Sequence, residues 1–176
     1  MKGNIVLIGF MGVGKGRTAR CLADQTGMFA LDCDDLIESY ANKRIRTIFS
    51  EDGEPAFREL EKKAARWLEK NVNASVISTG GGFVNVENIK AIGTVVYLHS
   101  DFDSIIKSIK SHPNAEKKIK KRPLLQDMEA ARKLYNTRLP IYRRVADVEV
   151  FMADRPVARV AEEIVERVKM LKLKKS

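Results

Sequence analysis

Residues Ile5-Val6-Leu7-Ile8-Gly9-Phe10-Met11-Gly12-Val13-Gly14-Lys15-Gly16 decide the fold class. Four apolar residues run into a glycine-rich turn, and a helical pattern follows. This is G-x-x-x-x-G-K in the strand, loop and helix context that the motif requires. Glycines let the backbone turn sharply, so successive N–H groups point at phosphate oxygens. Lys15 adds a cation, and the following helix offers its positive N-terminus. The residue after the lysine departs from the pattern. Where Ser or Thr would offer a hydroxyl to Mg²⁺, the chain has Gly16.

Outward from this loop, short β-rich runs alternate with helical patterns. Strands are expected at Ile5–Ile8, Met28–Leu31, Val76–Ser78, Thr94–Leu98 and Val148–Met152. Helices are expected from Gly14 to about Thr26, Asp34 to about Asn42, Ile45–Glu51, Glu54–Asn71, Val86–Ile92, from Asp101, Asp127–Val145 and from Pro156. Asp34 and Asp101 suit cap positions, and Pro55 lies in a first turn, where proline is tolerated. Pro140 predicts a kink or break in the helix that contains it. Five short strands alternating with helices imply an α/β fold, a five-stranded parallel sheet covered by helices on both faces. Ligands then gather at the strand C-termini. The phosphate loop, Asp32/Asp34 and Gly80–Gly82 all follow strand ends.

The length of 176 residues suits one domain, 1–176, large enough for a real core. Hydrophobic residues make up 44% and charged residues 31%, an ordinary globular balance. No apolar run approaches the roughly 20 residues of a membrane span, and Met1-Lys2-Gly3-Asn4 does not read as a signal peptide. Cys21 and Cys33 make no disulfide framework and read as reduced thiols of a cytoplasmic protein. The net charge of +9 suits anionic ligands. Its lysines cluster in 107–121 and in the C-terminal tail, without interleaved aromatics to stack bases, so nucleic acid is a poor partner.

Asp32-Cys33-Asp34 sets two carboxylates two positions apart at a strand end. Beside Mg²⁺·ATP, one can hold the ion through water, and the other can accept a proton from a substrate hydroxyl. The alternative is that Asp34 only caps the next helix and Asp32 is solvated. Arg58 reads either as a ligand group or as a helix-surface ion pair with Glu54 or Glu61. Three glycines at Gly80, Gly81 and Gly82 suggest close approach of backbone to a ligand, or a flexible tight turn. A polar, lysine-rich stretch with Pro113 ends in Arg122-Pro123-Leu124-Leu125 and resembles a mobile lid, approximately residues 111–125, that brings Arg122 onto a transferring phosphoryl group. Arg138 can offer a planar fork to a carboxylate. His99 and His112 show no metal-ligand spacing.

In this order and spacing the motifs are similar to those of the shikimate kinases over nearly the whole length. The matching stretches are Ile8–Lys15, Asp32-Cys33-Asp34, Phe57-Arg58-Glu59-Leu60-Glu61, Ser78–Gly82, Arg122–Leu125 and Arg138-Leu139-Pro140-Ile141-Tyr142. The resemblance implies a P-loop kinase fold and transfer of the ATP γ-phosphoryl group to the 3-hydroxyl of shikimate, in aromatic amino-acid biosynthesis. It assigns ATP contacts to Gly12, Val13, Gly14, Lys15, Gly16, Arg17, the lid residue Arg122 and, near the adenine, Arg155. It assigns the acceptor site to Asp34, Arg58, Gly80, Gly81, Gly82 and Arg138, with Asp34, Lys15 and Arg122 catalytic. Asp32 matches the acid that holds Mg²⁺ through water. The family's usual Ser-Thr is Gly16-Arg17 here, and Thr18 lies about 200° around the helix from Gly16, on the wrong face to replace the hydroxyl. Gluconate or a nucleoside monophosphate as acceptor, and a binding protein that has lost catalysis, are the alternative readings. A monomer is expected.

Overall fold

The computed structural model describes residues 3–111, 113, 125 and 127–174. Its sheet has five strands, all parallel, in the order β2-β3-β1-β4-β5. They are β1 (Asn4–Ile8), β2 (Phe29–Asp32), β3 (Ser75–Ser78), β4 (Gly93–His99) and β5 (Val148–Phe151). The central strand β1 is buried along its whole length, with Ile5 to Ile8 at 1% exposure or less. Alternate side chains of a strand point to opposite faces, so both faces are covered, as the continuous apolar run requires.

Helix α1 (Lys15–Thr26) buries Lys15, Thr18, Ala19 and Leu22, one stripe at helical spacing. Along that face it packs on β2, β3 and the C-terminal helix α8 (Val157–Leu173). Its N-terminus carries no acidic residue and no side-chain cap, which leaves its first N–H groups to an anion. Gly12 in the loop before it has φ +85°, and a Cβ there would stand 2.5 Å from Ile109 Cδ1. Only glycine fits that turn without strain. Ile109 belongs to α6 (Phe102–Lys110), capped by Asp101, whose carboxylate accepts the Ser104 N–H. The helix leading towards the expected lid thus packs directly on the phosphate loop.

A smaller cluster of Ile37, Ile48 and Phe57 ties together α2 (Cys33–Ala41), α3 (Ile45–Glu51) and α4 (Gly53–Asn71). Burying each such side chain is worth about 1.5–3 kcal/mol. It fixes the start of α4, where Arg58 follows Phe57. The rest of the core is one cluster around the sheet.

Two expectations change, and at Pro140 the break is ruled out. The cap of α2 is Asp32 and not Asp34: Asp32 Oδ1 accepts the Asp34 N–H at 2.9 Å, because β2 ends one residue later than its apolar run suggests. The helix expected over Val86–Ile92 is a 3-10 turn, Phe83–Asn85, and one α turn, α5 (Ile89–Ile92); Val86 between them is extended, at φ −72° and ψ 136°. Helix α7 (Met128–Val145) runs through Pro140 without a break. Pro140 lies on its exposed side, where water can take up the carbonyl freed four residues earlier.

Candidate active site

The three strands that carry the motifs end level with one another. Leu7 of β1 pairs with Ser78 of β3, and Ser78 pairs with Asp32 of β2. Their following loops meet at the C-terminal rim of the sheet and enclose a cavity of about 850 Å³. The phosphate loop from Met11 to Thr18, Asp32, Asp34, Ser78 to Gly81 and Met152 to Arg155 line it. Gly12, Val13, Gly14, Lys15, Gly16 and Arg17 all line this cavity.

Lys15 is buried at the base of the loop and donates to the carbonyls of Gly9 at 2.8 Å and Phe10 at 3.1 Å. Its ammonium closes the loop on itself at the point where phosphate charge would gather. Arg17 is exposed on the cavity wall. Thr18 is fully buried, with its hydroxyl unpartnered among the described residues, away from the side of α1 that Gly16 presents. A Cβ on Gly16 would meet nothing closer than Arg20 Nη1 at 3.7 Å, Asp32 Oδ2 at 3.9 Å and Ser78 Oγ at 4.0 Å. A side chain at 16 therefore fits.

The glycine run owes its composition to the protein's own charged groups. A Cβ on Gly80 would lie 2.9 Å from Asp34 Oδ1, and one on Gly81 would lie 2.9 Å from Arg138 Nη1. One on Gly82 would overlap the Arg58 guanidinium. Each glycine thus makes room for one expected acceptor residue. Asp34, Arg58 and Arg138, drawn from three different helices, converge on three consecutive residues.

Arg58 makes the ion pairs that helical spacing offered. It donates to Glu61 Oε2 at 2.5 Å and to Glu54 Oε1 at 2.6 Å. These bonds aim the guanidinium at Gly82. Glu61 is 2% exposed, its other oxygen has no hydrogen-bond partner among the described residues, and burial raises its pKa despite Arg58. Burial, then the neighbouring Asp32 charge, pushes the Asp34 carboxyl up to about 6, while Lys15 pulls it the other way. Asp34 is thus deprotonated at neutral pH but poised near it, as a general base requires.

Two residues that position the site went unassigned in the sequence. Tyr142, four residues after Arg138 and so on the same face of α7, donates its hydroxyl to the Gly81 carbonyl at 2.7 Å. Glu61 was visible only as an ion-pair partner; its burial beside Gly80 was not. Arg155 stands on the cavity rim, but its guanidinium is held by Glu163 at 2.7 Å and the Phe151 carbonyl at 2.9 Å. His99 is structural: it bonds Glu149 at 2.8 Å and stacks on Tyr97. Cys21 and Cys33 are both free thiols, and burial raises the Cys33 thiol well above its usual range. Arg122, His112 and nearly all of the expected lid lie outside the described residues.

A phosphate loop after the central strand of a five-stranded parallel sheet, with acids and arginines on the same rim, defines a P-loop kinase. A family model described as shikimate kinase matches residues 11–169. A shikimate kinase of Helicobacter hepaticus is 39% identical over 163 residues, covering 93% of this chain and 94% of that protein. Another, of a Sulfurihydrogenibium species, is 34% identical over 171 residues, covering 94% and 98%. The solved structure of shikimate kinase from Acinetobacter baumannii in complex with shikimate is 31% identical, with a TM-score of 0.82 and coverage of 97% of this chain and 95% of that one. The chain belongs to the shikimate kinase family, and is a phosphotransferase.

Proposed function

We infer that this chain transfers the γ-phosphoryl group of ATP to the 3-hydroxyl of shikimate. The observation that carries the acceptor assignment is the convergence of Asp34, Arg58 and Arg138 on Gly80–Gly82. A carboxylic acid bearing hydroxyls matches that set: arginine forks for the carboxylate, a carboxylate for the hydroxyls. Gluconate shares a carboxylate and hydroxyls, but lacks the ring that would hold both ends at a fixed separation. A coupled ADP-release assay with shikimate, gluconate and AMP tests the assignment. Shikimate alone should support turnover at sub-millimolar concentration; turnover with gluconate or AMP but not shikimate overturns it.

In the reaction, Asp34 accepts the proton of the attacking hydroxyl. That oxygen bonds the γ-phosphorus as the bond from phosphorus to the β,γ-bridging oxygen breaks, and ADP leaves. Lys15 and the N–H groups from Gly12 to Arg17 stabilise the phosphate charge that shifts towards ADP. Arg58 and Arg138 orient the acceptor, and Arg122 contributes positive charge from the lid. Arg155 borders the adenine. Asp32 would hold Mg²⁺ through water, and the ion when bound would supply neutralisation of phosphate charge. The residues present fit it: Asp32 Oδ2 is a hard oxygen donor facing the open space at Gly16, and Mg²⁺ keeps several waters. Among the described residues no group of three or more His, Cys, Asp and Glu gathers to hold a metal, and Mg²⁺ bound chiefly by phosphate and water needs none.

Because a side chain at 16 meets nothing closer than 3.7 Å, Gly16→Ser should be accommodated. It should lower the Mg²⁺ concentration for half-maximal rate several-fold, about 1 kcal/mol for one restored contact. Rate measured against Mg²⁺ at fixed ATP checks this; an unchanged midpoint would mean that position 16 does not address the metal. The protein is read as a cytoplasmic monomer of one domain that acts on small molecules and not on nucleic acid. Among the described residues no helix is long and apolar enough to cross a membrane.

A further inference from the structure

The space at Gly16 is bordered by two oxygens from neighbouring strands. Asp32 Oδ2 is 3.9 Å and Ser78 Oγ 4.0 Å from the point where a Cβ on residue 16 would sit. Asp32 and Ser78 are register partners at the ends of β2 and β3. Asp32 spends Oδ1 on the Asp34 N–H, so Oδ2 is the oxygen left to face the cavity. Ser78 is 3% exposed, lines the same cavity, and its hydroxyl makes no hydrogen bond among the described residues. A hydroxyl at the cavity wall with no protein partner is free to bond a ligand or a water held there. Thr18, the nearest hydroxyl along the chain, is buried against the sheet.

A hydroxyl attached at residue 16 would extend roughly 1.4 Å from its Cβ, by ordinary C–O bond length. Ser78 Oγ, 4.0 Å from that Cβ, therefore borders the region such a hydroxyl would occupy, from a different element. We propose that Ser78 supplies the hydroxyl that Gly16 lacks, so that Asp32 and Ser78 together hold the hydrated Mg²⁺ that accompanies ATP. This rests on the reading of the cavity as an ATP site. Both donors are hard oxygens, and contact through retained waters tolerates their distance from the loop. Arg20 Nη1, 3.7 Å from the same point, is the competing group. A guanidinium and a divalent cation repel at that range. Arg20 is exposed, so its long side chain swings outward when the metal binds and does not hold it.

The test is ADP affinity by calorimetry with and without Mn²⁺, the ratio of the two being the metal's contribution. It is measured for wild type, Ser78→Ala, Ser78→Thr, Arg20→Gln, Gly16→Ser and the double variant Gly16→Ser/Ser78→Ala. Ser78→Ala should lower the ratio about fivefold or more, and Ser78→Thr, which keeps the hydroxyl on a β-branched residue suited to a strand, should preserve it. In the Gly16→Ser background the same alanine change should alter the ratio less than twofold, because the loop then carries its own hydroxyl. Arg20→Gln should leave the ratio unchanged or raise it. An unaltered ratio in Ser78→Ala, an equal loss in both backgrounds, or an equal loss in Arg20→Gln would overturn the assignment. Absence of ADP binding by the wild type with and without Mn²⁺ would instead remove the nucleotide reading, and this proposal with it.

Discussion

Asp34→Asn should lower kcat by about 10²-fold or more, in line with general-base contributions, while ATP affinity changes less than about threefold. The substitution keeps the size of the side chain and removes the proton acceptor. Asp34 abuts Gly80, on the acceptor side of the cavity, which is why nucleotide binding is spared. In the wild type the base must be ionised, and its carboxyl is pushed up to about 6. Thus kcat/KM should fall as pH drops through about 6, and the variant's residual rate should lack that limb. Stability should move the other way. The folded state raises the pKa above its unfolded value, so the cost of the buried charge is fully present above about 6 and vanishes below the unfolded pKa. Asn avoids that cost, and the variant should be more stable at pH 7.5 by about 1 kcal/mol, allowing for partial solvent screening. The gain should shrink as pH falls from about 6 to about 4. Denaturant midpoints at several pH values check the sign. A kcat near wild type would reduce Asp34 to a positioning group.

Gly82→Ala should raise the KM for shikimate by about tenfold or more and leave ATP affinity within about twofold. The added methyl overlaps the Arg58 guanidinium, which Glu54 and Glu61 hold from behind. Arg58 must then rotate away from the acceptor side or the chain must shift at Gly82, and neither Arg58 nor Gly82 lines the phosphate-loop cavity. A wild-type KM in a variant with an unchanged thermal midpoint would show that Arg58 does not need its present position.

The amino-acid pattern carries much of this arrangement. The run Ile5–Ile8, the glycine loop and the spacing of five short strands are local signals, and the parallel sheet follows from them. Asp101 is equally local, because a cap acts within its own turn. What the pattern hides depends on packing between distant elements. Gly80–Gly82 read as room for a ligand, since nothing local reveals that α2, α4 and α7 deliver Asp34, Arg58 and Arg138 to them. The capping role of Asp32 turned on where β2 stops, a single-residue boundary that propensity does not resolve. Glu61 follows a common i,i+3 pattern with Arg58, and only its depth beneath the acceptor residues distinguishes it from a surface partner. The chemistry of Pro140 is local, but the exposed side on which it lies, where the helix continues unbroken, is set by packing.

The central claim is that the phosphoryl group lost by ATP is delivered to the ring hydroxyl of shikimate. Phosphorus NMR of wild-type protein with ATP, Mg²⁺ and shikimate tests it directly. One new phosphomonoester resonance, coupled to the proton on C3 and growing in step with ADP, is the expected result. ADP accumulating with free inorganic phosphate and no phosphomonoester would contradict the claim.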